Sequence, residues 1–218
     1  PSVAGGEFER GRGCGFHSIG RRPGTKNARA DLVWRRQNGL EAAIKRFAGC
    51  GGPVLGICGG YQMLGTTLED PEGVEGGGTM RGMELLPVAT VFDRNKVRTQ
   101  VPGTVSRLDG FFSCLAEAEF EGYEIHMGLS RVEDSAQTFA QISDGTAGHE
   151  HGDGAACGNV AGSYVHGLFD SGVIAGRLAG ALLAAKGLDA GDGMAMDHGQ
   201  FKESQYDLLA DALRSSLD

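Results

Sequence analysis

No run of apolar residues in this 218-residue chain approaches the roughly 18 to 20 needed to cross a bilayer as a helix. The first residues also lack the charged-then-apolar pattern of a secretory signal, so a cytoplasmic protein with no membrane partner is expected. Basic clusters are missing as well. The formal charge is −8, from 20 Lys and Arg against 28 Asp and Glu, and no patch is dense enough to follow a phosphate backbone, which excludes nucleic acid as a partner. Cysteine is sparse and oddly numbered. Cys14, Cys50, Cys58, Cys114 and Cys157 are too widely separated for the paired C-x-x-C spacing of a zinc site or for a disulfide framework, so no metal is expected. The phosphate-binding G-x-x-x-x-G-K-[ST] pattern does not occur either: Gly20 to Asn27 approaches it, but Thr25 separates Gly24 from Lys26. The chain alone is therefore not expected to activate a carboxylate with ATP.

What the chain has in excess is glycine, 38 residues, more than twice the average usage of about 7 %. The glycines gather where the chain turns, which suits many tight loops on an α/β scaffold. With 40 % apolar residues, the chain can bury a full core as one main domain. Residues 1–22 show neither a period of two nor one of 3.6 and are read as irregular. Val33, Leu40, Ala43, Ile44 and Phe47 recur at helical spacing, predicting a helix from Ala30 to Phe47 interrupted at Gly39. Pro53 to Cys58 reads as a buried parallel strand, followed by a helix with Tyr61, Leu64 and Leu68 on one face. Short β-prone runs follow at Gly82–Phe92, Lys96–Val105, Glu119–His126, Phe139–Ile142 and Val160–Val165. Asp170 or Ser171 caps a helix carrying Ile174, Leu178, Ala181 and Leu182, with Lys186 in its last turn and Gly187 as its stop. A linker at Gly191–Gly199 leads to a last helix from Ser204.

Gly56-Ile57-Cys58-Gly59-Gly60 has the G-x-nucleophile-x-G spacing of a strand-to-helix elbow, a turn so tight that only the central residue keeps a working side chain. Cys58 at the start of a helix meets unpaired N–H groups that favour an anion, so a lowered thiol pKa is expected. The N–H of Gly59 lies where an oxyanion would form on attack at a carboxamide. A thiolate needs a base, and six histidines compete: His17, His126, His149, His151, His166 and His198. His166 ends the Val160–Val165 run, at the strand edge that also carries the elbow, and is preferred. His149 and His151 fall in a polar loop, and His17 and His198 have no supporting pattern.

The extended motif from Gly56 to Gly65 resembles the glutamine amidotransferase domain of the cobyric acid synthase family, a class I amidotransferase. Pro23 to Asn27 is similar to that family's early glycine loop, Asp70 to Gly76 to a further segment, Gly122 to Gly128 to its central motif, and Ser163 to Asp170 to its histidine motif. The resemblance implies a flavodoxin-like α/β sandwich with a mostly parallel central sheet and an additional antiparallel segment. It also implies Cys58 as nucleophile, His166 as base, and the backbone of Gly24 and Gly59 as oxyanion hole. Tyr123, Glu124 and His126 become accessory residues near the thiol or at a synthetase interface, although strand alternation alone would place Glu124 and His126 together on one face. Glutamine is the implied substrate. Its ammonia would pass to a synthetase domain or subunit, absent from this chain, that uses ATP and Mg²⁺ to amidate corrinoid carboxylates in cobalamin biosynthesis.

Three departures from the pattern stand out. Leu168 occupies the place where most class I amidotransferases carry a Glu, so no strict triad is expected, and Glu124 is the candidate to orient His166. Arg21 and Arg22 sit where an apolar strand would enter the glycine loop, and Arg35 follows Trp34 where an apolar residue is expected. The expected organisation is an atypical segment at 1–22, the amidotransferase domain at 23–187, and a linker with a C-terminal helix at 188–218. Competing readings are a related amidotransferase that serves another acceptor (cobyrinic acid a,c-diamide synthase or the cell-wall amidation complex), a cysteine hydrolase of another amide, and a catalytically silent binding module.

Overall fold

The computed structural model describes residues 27–143, 150–170 and 172–188. The irregular segment at 1–22, the glycine loop with Gly24, His149, and the last helix expected from Ser204 lie outside the described residues. In chain order the elements are α1 (Ala28–Gln37), α2 (Leu40–Gly49), β1 (Val54–Ile57), α3 (Gly59–Leu64), β2 (Thr67–Asp70), β3 (Gly78–Arg81), β4 (Val88–Val105), β5 (Glu119–Val132), β6 (Ala140–Ser143), β7 (Glu150–Asp153), β8 (Ala155–Cys157), β9 (Val160–Ser163), β10 (Val165–His166) and α4 (Gly172–Ala185).

The helical spacing between Ala30 and Phe47 becomes two helices, broken at Asn38-Gly39. Asn27 caps the first by accepting from the Ala30 N–H at 2.7 Å. The second turns Ile44, Phe47 and Ala48 into the core. The helix after Cys58 is shorter than its apolar spacing suggests. It ends at Leu64; Gly65 is extended, Thr66 and Thr67 are β-branched, and Leu68 reaches the core, fully buried, from β2 instead. The segment from Gly82 to Pro87, expected as strand, has other work. The N–H groups of Met83, Leu85 and Leu86 donate to the carbonyls of Met63 and Leu64 at 2.8–2.9 Å, supplying partners to the open C-terminal end of α3. The strand begins only at Val88. In α4 Ile174 is buried and Leu178 half-buried, while Ala181 and Leu182 stay partly exposed.

The strands form two sheets, making the mixed α/β architecture that the sequence suggests. A three-stranded sheet has the order β1-β9-β8, with β1 and β9 parallel. A seven-stranded sheet runs β10-β5-β4-β2-β3, with β6 joined to β4 and β7 to β6. There β2 and β4 are parallel, and the remaining pairs are antiparallel, so the antiparallel part extends well beyond one added segment. One hydrophobic cluster joins α1, α2 and α3 to β1 and β2 through Leu32, Phe47, Val54, Tyr61, Leu64 and Leu68. A second, including Val101, Phe112, Phe120, Ile142, Val165 and Ile174, lies under β4, β5, β6 and α4. The chain passes between the two sheets once through α3, from β1 to β2, and twice with a single residue between strands, at Gly154 and at Tyr164.

Candidate active site

The elbow forms because β1 and α3 approach more closely than a side chain allows. A Cβ on Gly56 would lie 2.7 Å from the backbone carbon of Gly60 and 2.7 Å from the Leu64 side chain. Cys58 between them adopts φ 54° and ψ −116°, a conformation that costs a non-glycine residue about 1–3 kcal/mol. Its backbone N–H is held by the Ser163 carbonyl at 2.8 Å, at the end of the parallel β1–β9 ladder. The strained residue is thus locked by the sheet that delivers it.

The sulfur is half-buried and donates to the Ile125 carbonyl of β5 at 3.3 Å. Its pKa is raised, in correction of the lowered value that the sequence suggested. Burial pushes the thiol up, the N–H of Gly59 pulls it down by hydrogen bonding to the sulfur, and the Glu75 carboxylate pushes it up again. The helix behind it has six residues, too short a dipole to reverse the balance. Glu75 itself is held at the start of α1, where its carboxylate accepts from the Arg29 N–H at 3.0 Å. The loop carrying it is wrapped around buried Asp70, which accepts from the N–H groups of Val74, Glu75 and Gly77 at 2.7–2.8 Å.

β5 is the strand on which the remaining groups converge. His166 of β10 pairs with Tyr123 in register, and the two rings stack at 5.3 Å with 4° between planes. Tyr123 is exposed beside it. The register sets Glu124 beside Val165, on the face of β5 opposite that of Tyr123. Glu124 therefore turns away from His166, against the expectation that it orients that ring. Its buried carboxylate lies 3.5 Å from His126 Nε2 and 3.8 Å from His151 Nε2. His126 is further fixed by stacking on Tyr164, with centroids 3.8 Å apart, and by a 3.1 Å hydrogen bond between Nδ1 and the Gly128 carbonyl.

Cys58, Gly59, Tyr123, Glu124, His126 and His166 all lie on β5 or on the two segments adjoining it, the elbow and β10. Three residues near the sulfur escaped the sequence reading. Gln62, four positions after Cys58 and hence on the same helix face, donates to the Met127 carbonyl at 3.1 Å and to Tyr164 Oη at 3.3 Å. That spacing was legible. Tyr164 and Glu75 were not, since their proximity depends on how distant segments pack. Among the described residues, every buried side-chain nitrogen and oxygen has a hydrogen-bond partner.

The family model for the CobB/CobQ-like glutamine amidotransferase domain matches residues 20–173. Cobyric acid synthase from Ruminiclostridium cellulolyticum is 49 % identical over 198 residues, which cover 90 % of this chain and 38 % of that protein. The cobyric acid synthase of Lachnoclostridium phytofermentans is 45 % identical over 204 residues, covering 90 % of this chain and 40 % of its own length. That of Moorella thermoacetica is 42 % identical over 199 residues, covering 90 % and 38 %. The chain thus spans about two fifths of the length of these relatives.

Proposed function

Since the chain belongs to the CobB/CobQ-like glutamine amidotransferase family, we propose that it hydrolyses glutamine through Cys58 and His166 and hands the ammonia to a synthetase portion. The observation that carries the reading is the elbow: Cys58 alone occupies the strained turn, with the Gly59 N–H directed at its sulfur. Because burial keeps the thiol protonated, His166 takes the proton as Sγ attacks the carboxamide carbon of glutamine. The carbonyl oxygen becomes an oxyanion beside the Gly59 N–H, with the backbone of Gly24 as the second donor. As the C–N bond breaks, the proton on His166 passes to the leaving nitrogen, which departs as ammonia and leaves a glutamyl thioester. Water then attacks the thioester, gives a proton to His166, and the C–S bond breaks. Sγ recovers the proton, and glutamate is released.

The relatives' name, cobyric acid synthase, supports a corrinoid carboxylate as the final ammonia acceptor. ATP and Mg²⁺ in the synthetase portion and a cytoplasmic setting complete the proposal. Tyr123, exposed and stacked on His166, and Phe169, exposed three residues further along the chain, suit contact with that portion. Cys58→Ser is expected to abolish ammonia release from glutamine and to leave the circular dichroism spectrum unchanged, since little volume is lost. A serine variant that releases ammonia at the parent's rate, or a parent that prefers another amide to glutamine, overturns the reading.

A further inference from the structure

We propose that Asp153 is a positioning residue for this reaction, holding His166 in register with Cys58 by clamping the point where the chain crosses between the two sheets. Asp153 closes β7 in the seven-stranded sheet, opposite Ala140, and two residues later Ala155 opens β8 in the three-stranded sheet, opposite Gly162. Gly154 makes that crossing at φ 70°, so close to β9 that a Cβ there would collide with the Gly162 carbonyl. The chain crosses back at Tyr164, between Ser163 of β9 and Val165 of β10. The two crossings meet at the Asp153 carboxylate.

A strand that changes sheets loses its ladder partners, so the amides at the crossing need other acceptors. Asp153 Oδ1 accepts from the Tyr164 N–H at 3.0 Å, and Oδ2 accepts from Ser163 Oγ at 2.5 Å. Ser163 Oγ in turn accepts from the Val165 N–H at 3.0 Å. Asp153 and Ser163 are 3 % and 0 % exposed, so water does not compete for these bonds.

Both proposed reacting groups depend on this node. The Ser163 carbonyl holds the Cys58 amide at 2.8 Å, and His166 follows three residues later on the strand that Asp153 and Ser163 orient. The inference rests on the functional reading above, because it concerns how the same two groups are aligned.

Asparagine has the shape of aspartate but only one acceptor oxygen. In Asp153→Asn, either the Tyr164 amide or the Ser163 hydroxyl faces an N–H group and loses its acceptor. A displacement of about 1 Å between reacting groups costs on the order of 100-fold in rate. The full chain and its Asp153→Asn, Ser163→Ala, doubly substituted and Cys58→Ser variants are to be compared in glutamine hydrolysis, well below their melting temperatures. Asp153→Asn and Ser163→Ala are each expected to lower kcat at least 10-fold with KM within about threefold. The double variant should be little worse than the worse single one, since both break one chain of bonds. Alkylation of Cys58 by iodoacetamide at high pH, where the thiol ionises without a base, should keep the parent's rate.

A folded Asp153→Asn protein with kcat within twofold of the parent overturns the proposal, and so does multiplicative loss in the double variant. If Asp153→Asn does not fold, Ser163→Ala decides by the same kcat and KM criterion. If Cys58→Ser keeps the parent's activity, the functional reading has failed, and the Asp153 inference fails with it. A dead Cys58→Ser beside a fully active Asp153→Asn discards the inference alone.

Discussion

A single carboxylate illustrates how burial changes what a residue does. Burial pushes the pKa of Asp153 up to about 6 from 3.8; the Ser163 hydroxyl and Tyr164 amide pull it down, Glu124 pushes it up, and His126 pulls it down. The folded value lies above the unfolded one, so the fold favours the protonated acid. This group's stabilising contribution is full below pH 3.8 and is lost as pH rises through about 6. The difference in unfolding free energy between the parent and Asp153→Asn should therefore move toward the parent by up to about 3 kcal/mol as pH falls from 7.5 to 4. Chemical denaturation of both proteins across that range measures it. A difference that stays constant with pH means that Asp153 titrates as an ordinary carboxylate. Cys58 obeys the same physics, for its raised pKa makes proton transfer to a base part of the proposed attack.

At the scale of elements, the loop between β2 and β3 is organised by one side chain rather than by a ladder. Asp70 collects the amides of Val74, Glu75 and Gly77, and lies 4.0 Å from the buried Arg29 of α1. Burial raises its pKa, but the three amides and Arg29 outweigh burial and leave it lowered. Replacing it with alanine strands three N–H groups and takes the counter-charge from Arg29, whose guanidinium keeps the Gly78 carbonyl, a loss of at least about 2 kcal/mol. Hydrogen exchange should report it locally: in Asp70→Ala the amides of Val74, Glu75 and Gly77 lose protection while the β4–β5 ladder keeps its own. Unchanged protection in the loop would show that Asp70 does not organise it. The sequence shows Asp70 within a motif, yet reveals nothing of why the residue is needed, because its partners are backbone groups. Leu68 makes the same point differently, since helical spacing and strand burial both deliver it to the core, and only Gly65 and the two threonines decide between them.

Across the whole molecule, two hydrophobic clusters are joined by crossings at Gly154 and Tyr164, and the proposed site lies where they meet. This connection predicts cooperative unfolding. Phe112, 1 % exposed, belongs to the second cluster, whereas Trp34, the only tryptophan, stands exposed on α1, the helix that gives Leu32 to the first. Phe112→Ala should cost about 3–5 kcal/mol and shift the urea transition seen by Trp34 fluorescence as far as that seen by circular dichroism. A fluorescence transition left in place would mean that the clusters unfold separately.

The elbow, the strand before it and the helix break at Gly39 were legible in the sequence, because spacing and glycine sterics act within a few residues. The run from Val160 to His166 reads as one strand in the sequence, whereas it divides at Tyr164 between the two sheets. The family, too, is carried by short motifs in order. What the tertiary structure alone decided is the environment of those residues: a thiol raised instead of lowered, Glu124 turned toward His126 and His151, and Asp153 gripping Ser163 and Tyr164. Solvation and hydrogen-bond partners come from segments far apart along the chain, so no local pattern encodes them.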